Sequence, residues 1–169
     1  MSNPELNIDR AQMSDMPKIA GLIRSSAEWY KPFVAEKDMN EHYADEKWQK
    51  ENFFKRDFYL GKQNQEPVGT ISMQYFKETT YLGYIYLSTK HVGKGIGRRL
   101  IDFAKKKSKE RGQKQMVLIA HPEATWAIKA YEKYGFKKKL TEREKILNWN
   151  NGLMKPYYEE GFHLYEYAL

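Results

Sequence analysis

The sequence predicts an α/β (α+β) fold in a single domain over residues 1–169, with one mixed, mostly antiparallel central sheet flanked by helices. Three observations predict it. Residues 57–62, 67–76 and 80–88 are rich in aromatic and β-branched side chains, with polar turns at Asn64-Gln65-Glu66 and Lys77-Glu78-Thr79 between them, the pattern of three antiparallel strands. The periodicity then switches, and Ile96, Leu100, Phe103 and Ala104 recur at helical spacing until Gly112 stops the run. A length of 169 residues suits one hydrophobic core of ordinary size and is short for two.

The remaining elements follow in order. Leu6–Arg10 reads as a short strand. Ser14-Asp15 then caps an amphipathic helix that carries Pro17 at its start and Ile19, Leu22, Ile23 and Ala27 on one face. That helix ends at Trp29-Tyr30-Lys31-Pro32, because proline disfavours helical geometry at the preceding Lys31. The polar, aromatic-studded residues 38–54 read as a second helix. Beyond the helix of residues 96–112, Gln115–Ala120 is an apolar strand, residues 123–134 a helix closed by Gly135, and residues 136–140 and His163–Ala168 the last two strands. Residues 141–161 form a long connection containing Asn150-Asn151-Gly152. There are no repeats, linkers or low-complexity segments.

Composition narrows the function. Hydrophobic residues at 41% and charged residues at 30% fit a globular chain, and no apolar run approaches bilayer-spanning length, so no membrane partner is expected. Met1-Ser2-Asn3-Pro4-Glu5 lacks a charged-then-apolar signal pattern, which leads us to expect a cytoplasmic protein. The absence of cysteine excludes disulfides, zinc–thiolate sites and a cysteine nucleophile. No metal site is expected, since His42, His91, His121 and His163 do not show metal-ligand spacing or pair with an obvious carboxylate motif. The net charge of +7 is unevenly placed. Basic residues concentrate between Lys90 and Lys139, with a dense run at Lys105-Lys106-Lys107 and Lys109, and acidic ones between Glu28 and Glu51 and at Glu159-Glu160. A basic half facing a polyanion and an acidic half facing a cation would produce that split, although a solvated helix face is the preferred account of the lysine run.

The most specific segment is Leu87-Ser88-Thr89-Lys90-His91-Val92-Gly93-Lys94-Gly95-Ile96-Gly97-Arg98-Arg99-Leu100, a strand followed by glycines and a helix start. Such a segment aims free backbone N–H groups at one point, where the helix dipole also favours negative charge, and its glycines let an anion approach closely. A phosphate or pyrophosphate is the natural ligand; a structural glycine turn is the alternative. A Walker loop is excluded because Arg98-Arg99 follows Gly97, and a dinucleotide fingerprint because its last glycine falls on Arg98 or Leu100.

This segment resembles the acetyl-CoA-binding motif of the GNAT superfamily of N-acetyltransferases, Gln/Arg-x-x-Gly-x-Gly/Ala, which falls on Val92-Gly93-Lys94-Gly95-Ile96-Gly97. A second hallmark, Ala-x-x-x-Tyr-x-x-x-Gly-Phe, matches Ala127-Ile128-Lys129-Ala130-Tyr131-Glu132-Lys133-Tyr134-Gly135-Phe136. With the first strand and helix, the resemblance covers nearly the whole chain. It implies acetyl-CoA as co-substrate, held by Ile85, Tyr86, Leu87, Val92, Gly93, Lys94, Gly95, Ile96, Gly97, Arg98, Tyr131 and Lys133, and direct transfer of acetyl to a primary amine in a ternary complex. Val92 replaces the usual Gln/Arg and loses its side-chain contact to phosphate, while Ala124 stands where relatives often carry Asn.

The implied chemistry sets further roles. An amine resembling lysine titrates near ~10.4 and must lose a proton before it attacks. The oxyanion needs a donor, for which the backbone N–H of the strand ending at Leu87 is placed. The departing thiolate, with a pKa of roughly 8.5 by analogy with cysteine, gains from a positioned acid. Tyr131 is the candidate acid, since its family counterpart sits beside the cofactor sulfur; packing against the cofactor is its alternative role. Many relatives carry a base on the strand before the glycines, but Leu82-Gly83-Tyr84-Ile85-Tyr86-Leu87 holds no carboxylate. Glu28, at the end of the first helix, is taken as the substitute acting through water, and a solvated helix-end side chain describes it equally well. Trp29, Tyr30 and Phe33 either wall the acceptor pocket or pack in the core. The acidic front half favours a small cationic amine as acceptor. A basic nucleic-acid-binding module ranks second, since the lysines lack a recognised binding motif, and an inactive acyl-CoA-binding fold third. A homodimer is left open.

Overall fold

The computed structural model describes residues 5–169; residues 1–4, read above for a signal pattern, lie outside the described residues. Seven strands form one sheet: β1 (Leu6–Arg10), β2 (Asp57–Gln63), β3 (Glu66–Phe76), β4 (Thr79–Leu87), β5 (Gln115–Ala120), β6 (Lys137–Leu140) and β7 (His163–Ala168), in the spatial order β1-β2-β3-β4-β5-β7-β6. Only β4 and β5 run parallel; every other neighbouring pair is antiparallel. The mixed, mostly antiparallel sheet expected from the strand pattern is the one observed. The β2–β3 turn places Asn64 and Gln65 at positive φ, 50° and 65°, the twist that matches a tight hairpin.

Helices cover both faces. On one, α5 (Ile96–Glu110) packs Ile96, Leu100, Ile101 and Ala104 against Val68, Ile71, Met73, Leu82, Met116 and Leu118, and α6 (Thr125–Tyr134) adds Ile128, Tyr131 and Tyr134. On the other, α1 (Met16–Ser25) buries Met16, Ile19, Ala20, Leu22 and Ile23, at three- and four-residue spacing, against Phe58 and Leu60 of β2 and Trp48. No helix among the described residues is long and apolar enough to cross a membrane.

Three helical expectations needed revision. The first helix breaks at Ser26, where the hydroxyls of Ser25 and Ser26 bond the carbonyls of Leu22 and Ile23, and a short α2 (Ala27–Tyr30) follows. Such back-bonding competes with the helical ladder and bends it. The second helix splits into α3 (Asn40–Tyr43) and α4 (Glu46–Lys55), because Ala44 is left-handed (φ 48°) and the Asp45 carboxylate caps the Trp48 N–H at 2.8 Å. The connection of residues 141–161 contains α7 (Arg143–Asn148), which buries Ile146 with Met154 against Val117 and Leu164.

Candidate active site

The site begins where β4 leaves β5. The two strands pair only at Thr79/Gln115, Thr80/Met116 and Tyr81/Val117, and beyond Tyr81 they part. In the same stretch β4 carries a bulge, with one residue of β3 set against two of β4 between the pairs Ser72/Gly83 and Thr70/Tyr86, and Tyr84 at φ 46°. The extra residue re-phases the side-chain alternation. Leu82, Ile85 and Leu87 reach the α5 face, while Tyr84 and Tyr86 reach the α1 face. The gap and the bulge together open a cavity on each side of β4.

The first cavity, about 740 Å³, lies against the glycine loop and is lined by Ile85, Tyr86, Leu87, Val92, Gly93, Gly95, Gly97, Arg98, Tyr131 and Lys133. Gly93 and Gly95 both sit at φ +83°, where any side chain is strained, and Gly95 immediately precedes the first turn of α5. The free N–H groups of that turn and the Arg98 and Lys133 cations make the loop end of the cavity suited to an anion. Of the loop residues named from the sequence, Lys94 and Ile96 do not line it; Ile96 is buried beside Leu100 in the core. The sequence reading missed Trp126, Asp102, Lys105 and Tyr134, which also line this cavity, and assigned Trp29 to the acceptor pocket or the core, whereas it lines this one. Trp126 stands edge-on to Trp29 and Tyr30, with centroids 5.3 and 5.4 Å away, and so ties α6 to α2 over the gap.

The second cavity, about 690 Å³, opens on the other side and draws its walls from α3, α4, β4, β5 and the connection before β7. Its polar groups are held in two sets. The Glu41 carboxylate accepts from the Tyr84 hydroxyl and from Trp48 Nε1 at 3.1 Å. The His42 ring, 2% exposed, bonds Glu159 Oε1 through Nε2 at 3.0 Å and the Tyr86 hydroxyl through Nδ1 at 3.2 Å. Burial pushes the Glu159 carboxyl above its usual range, with His42 pulling the other way. Glu159 is brought there by its neighbour: Glu160 bonds Lys37 and Arg143 through its side chain and Asp38 through its N–H. Arg56 forms the floor, its guanidinium 4.6 Å from the Tyr84 ring centroid and 5.0 Å from that of Tyr157, with Nε on Asn52 Oδ1. Gly83 leaves room for it, since a Cβ there would push the guanidinium aside.

The two cavities share Tyr30, Ile85, Tyr86, Ala127 and Tyr131. Burial holds the Tyr131 hydroxyl well above the ordinary phenol range, so it stays protonated and able to donate. Glu28 lies exposed on α2 and lines neither cavity, and Phe33 packs on His121, 4.5 Å between ring centroids, outside both. Tyr30 lines both cavities and Trp29 the first alone. His121 shapes its loop by accepting the Glu123 N–H at Nδ1, 3.1 Å away. Of the seven acidic residues between Glu28 and Glu51, Asp38, Glu41, Asp45 and Glu51 line the second cavity; Glu28, Glu36 and Glu46 do not. Neither the Glu41 nor the Glu159 arrangement carried a motif that could have revealed it.

The chain is similar to known proteins. The family model described as acetyltransferase (GNAT) family matches residues 21–136. Among solved structures, PaiA N-acetyltransferase from Thermoplasma acidophilum in complex with coenzyme A superposes with a TM-score of 0.76 at 19% identity, over 98% of this chain and 99% of that one. A GNAT-family acetyltransferase from Staphylococcus aureus Mu50 gives 0.74 at 16% identity, over 98% and 99%. One from Elizabethkingia anophelis with acetyl-CoA bound gives 0.68 at 19%, over 99% and 100%. No curated protein sequence matches this one.

Proposed function

The chain belongs to the acetyltransferase (GNAT) family, and from that premise we propose that it moves acetyl from acetyl-CoA to a small cationic primary amine, directly, in a ternary complex. The observation that carries this reading is the meeting of two cavities of different chemistry at Tyr86 and Tyr131. The glycine-loop cavity suits the phosphates and arm of acetyl-CoA. Its counterpart is lined by the carboxylates of Asp38, Glu41, Asp45, Glu51 and Glu159 against the cations Lys37, Lys47, Lys55 and Arg56, and the Glu41 and Glu159 carboxylates beside Tyr84 and Tyr86 suit an amine that arrives as an ammonium ion. The acetyl carbon would stand at the shared wall, between the two.

The chain's own residues then have distinct tasks. The glycine-loop N–H groups, Arg98 and Lys133 hold the negative end of the cofactor. Backbone N–H groups of β4 past the bulge, unpaired toward β5, are available to the oxyanion. The Tyr131 hydroxyl gives its proton to the departing sulfur. Glu28 is exposed and lines neither cavity, and this reading does not rely on it as the base.

The test is thiol release from acetyl-CoA across a set of acceptors: 1,4-diaminobutane, spermidine, neutral primary amines and acidic peptides. Acetylation of the diamines above the others is the expected result. Glu41→Gln should raise KM for a diamine several-fold, and added salt should shrink the difference. A preference for acidic peptides would refute the acceptor class, and an absence of amine-dependent thiol release would refute the transferase.

A further inference from the structure

We infer that Tyr86, His42 and Glu159 form a proton relay that takes the proton from the acceptor ammonium at the junction of the two cavities. The inference rests on the transferase reading above. Five residues are common to both cavities, and three of them, Tyr30, Tyr86 and Tyr131, carry a hydroxyl that can exchange a proton. Tyr131 is committed to the sulfur. Of the other two, Tyr86 is the one bonded to a base, His42 Nδ1 at 3.2 Å. The far nitrogen of that ring meets the Glu159 carboxylate at 3.0 Å. An ionised carboxylate only accepts, so Nε2 carries the ring hydrogen and Nδ1 presents a lone pair to the Tyr86 hydroxyl.

A purely structural tie would not need these groups. Holding the connection against α3 asks for one hydrogen bond, which glutamine would supply without the cost of burying a carboxylate. What a carboxylate adds is compensation for a positive charge on the imidazole, as in other His–carboxylate pairs that act as bases. The surroundings fit such a role. Tyr30 of α2 stacks on His42 with 4.7 Å between centroids, Asp38 and Glu41 stand on the segments flanking it, and Tyr84 and Tyr131 approach from β4 and α6. The cations that line this cavity are not paired with Glu159: Arg56, just past α4, is engaged by the Tyr84 and Tyr157 rings, Lys37 by Glu160 and Lys47 by Glu51, while Lys55 lies at the end of α4.

The ammonium donates to the Tyr86 oxygen as the Tyr86 proton passes to His42 Nδ1, leaving an imidazolium against the Glu159 carboxylate. The freed amine lone pair forms the C–N bond to the acetyl carbon. The C–S bond breaks, the sulfur takes the Tyr131 proton, and Tyr131 regains one from the new amide nitrogen. The proton on His42 leaves to water past Glu159, whose side chain is 15% exposed. An ammonium and a thioester thus give an amide, a thiol and one proton.

The test follows thiol release by the full chain against pH, with the fastest of 1,4-diaminobutane, spermidine and lysine methyl ester. Tyr86→Phe and His42→Ala should lower kcat/KM at pH 7 by ~10²–10⁴-fold, the usual worth of a positioned base. The deficit should shrink as pH rises toward the amine's own pKa of about 10, where free amine needs no base. Added imidazole should restore part of the His42→Ala rate, and Glu159→Gln should show a smaller deficit with the same pH signature. Tyr86→Phe and Glu159→Gln conserve volume and carry the test if His42→Ala does not fold. Deficits equal at every pH, without imidazole rescue, would overturn the relay and leave the transferase standing. Wild-type protein that acetylates none of the three amines would overturn both readings.

Discussion

The cavity at the glycine loop and the cavity behind Tyr84 are similar in size but are built on opposite plans. The first takes its anion-binding character from backbone: a contiguous stretch of loop and helix start, with Gly93 and Gly95 at positive φ. The second is made of side chains that meet from α2, α3, α4, β4, β5, α6 and the connection before β7, fixed by hydrogen bonds such as His42–Glu159, which spans 117 residues. A backbone site presents the same donors to any phosphate, so it suits a common co-substrate. A side-chain site can be rebuilt residue by residue without disturbing the sheet, so acceptor choice can vary while the cofactor end stays the same.

That contrast can be broken at the point where the cavities join. Tyr131→Phe removes only a hydroxyl shared by both, so turnover should fall ~10²–10⁴-fold while acetyl-CoA affinity stays within a few-fold. Single-turnover rates beside calorimetric Kd values check it; a large loss of affinity with intact turnover would make Tyr131 a binding residue instead. The next effect belongs to the backbone site alone. Gly95→Asp forces a side chain onto a φ of +83° and sets a carboxylate where a phosphate should lie, so Kd for acetyl-CoA should rise about tenfold or more. Calorimetry showing unchanged affinity would remove the loop from the cofactor site.

Gly83→Ala sharpens the contrast from the other side. Its Cβ would displace the Arg56 guanidinium, with Ser72 Oγ 3.0 Å away, and overpacking of this kind costs about 1–3 kcal/mol. KM for the amine should rise and Kd for acetyl-CoA should not, which steady-state kinetics and calorimetry together would show. The smallest effect concerns Glu159. Burial raises its folded-state carboxyl pKa above the ordinary 4.5, so ionisation costs the folded state more than the unfolded one. Its contribution is therefore complete below the unfolded value and is lost as pH climbs through the folded one. Relative to Glu159→Gln, the wild-type Tm should decline by up to a few degrees as pH rises from about 4 to 7. A difference that moves the opposite way would mean that His42 outweighs burial.

How much of this was legible in the sequence follows the same division. Six strands and the helix from Ile96 could be read because apolar and aromatic spacing sets them locally, β6 (Lys137–Leu140) only from its place after Gly135-Phe136, and the loop because its donors depend on where glycines fall. Breaks within helices were signalled more faintly, by the adjacent Ser25 and Ser26 and by Asp45 three residues before Trp48. Ile146, Leu153 and Met154 hinted that the long connection packs, though not on what. The bulge at Tyr84 had no local signature, since it arises from pairing between β3 and β4. Glu159 could not be matched to His42 from spacing, because Glu160 places it through contacts with Lys37, Asp38 and Arg143.

The claim on which the account turns is that both substrates occupy their cavities together and react across the shared wall. Initial rates of thiol release, measured with acetyl-CoA varied at several fixed concentrations of diamine, test it most directly. Double-reciprocal lines that intersect, together with diamine-dependent release, are the predicted result. Parallel lines, the pattern of a covalent acetyl-enzyme intermediate, would contradict it.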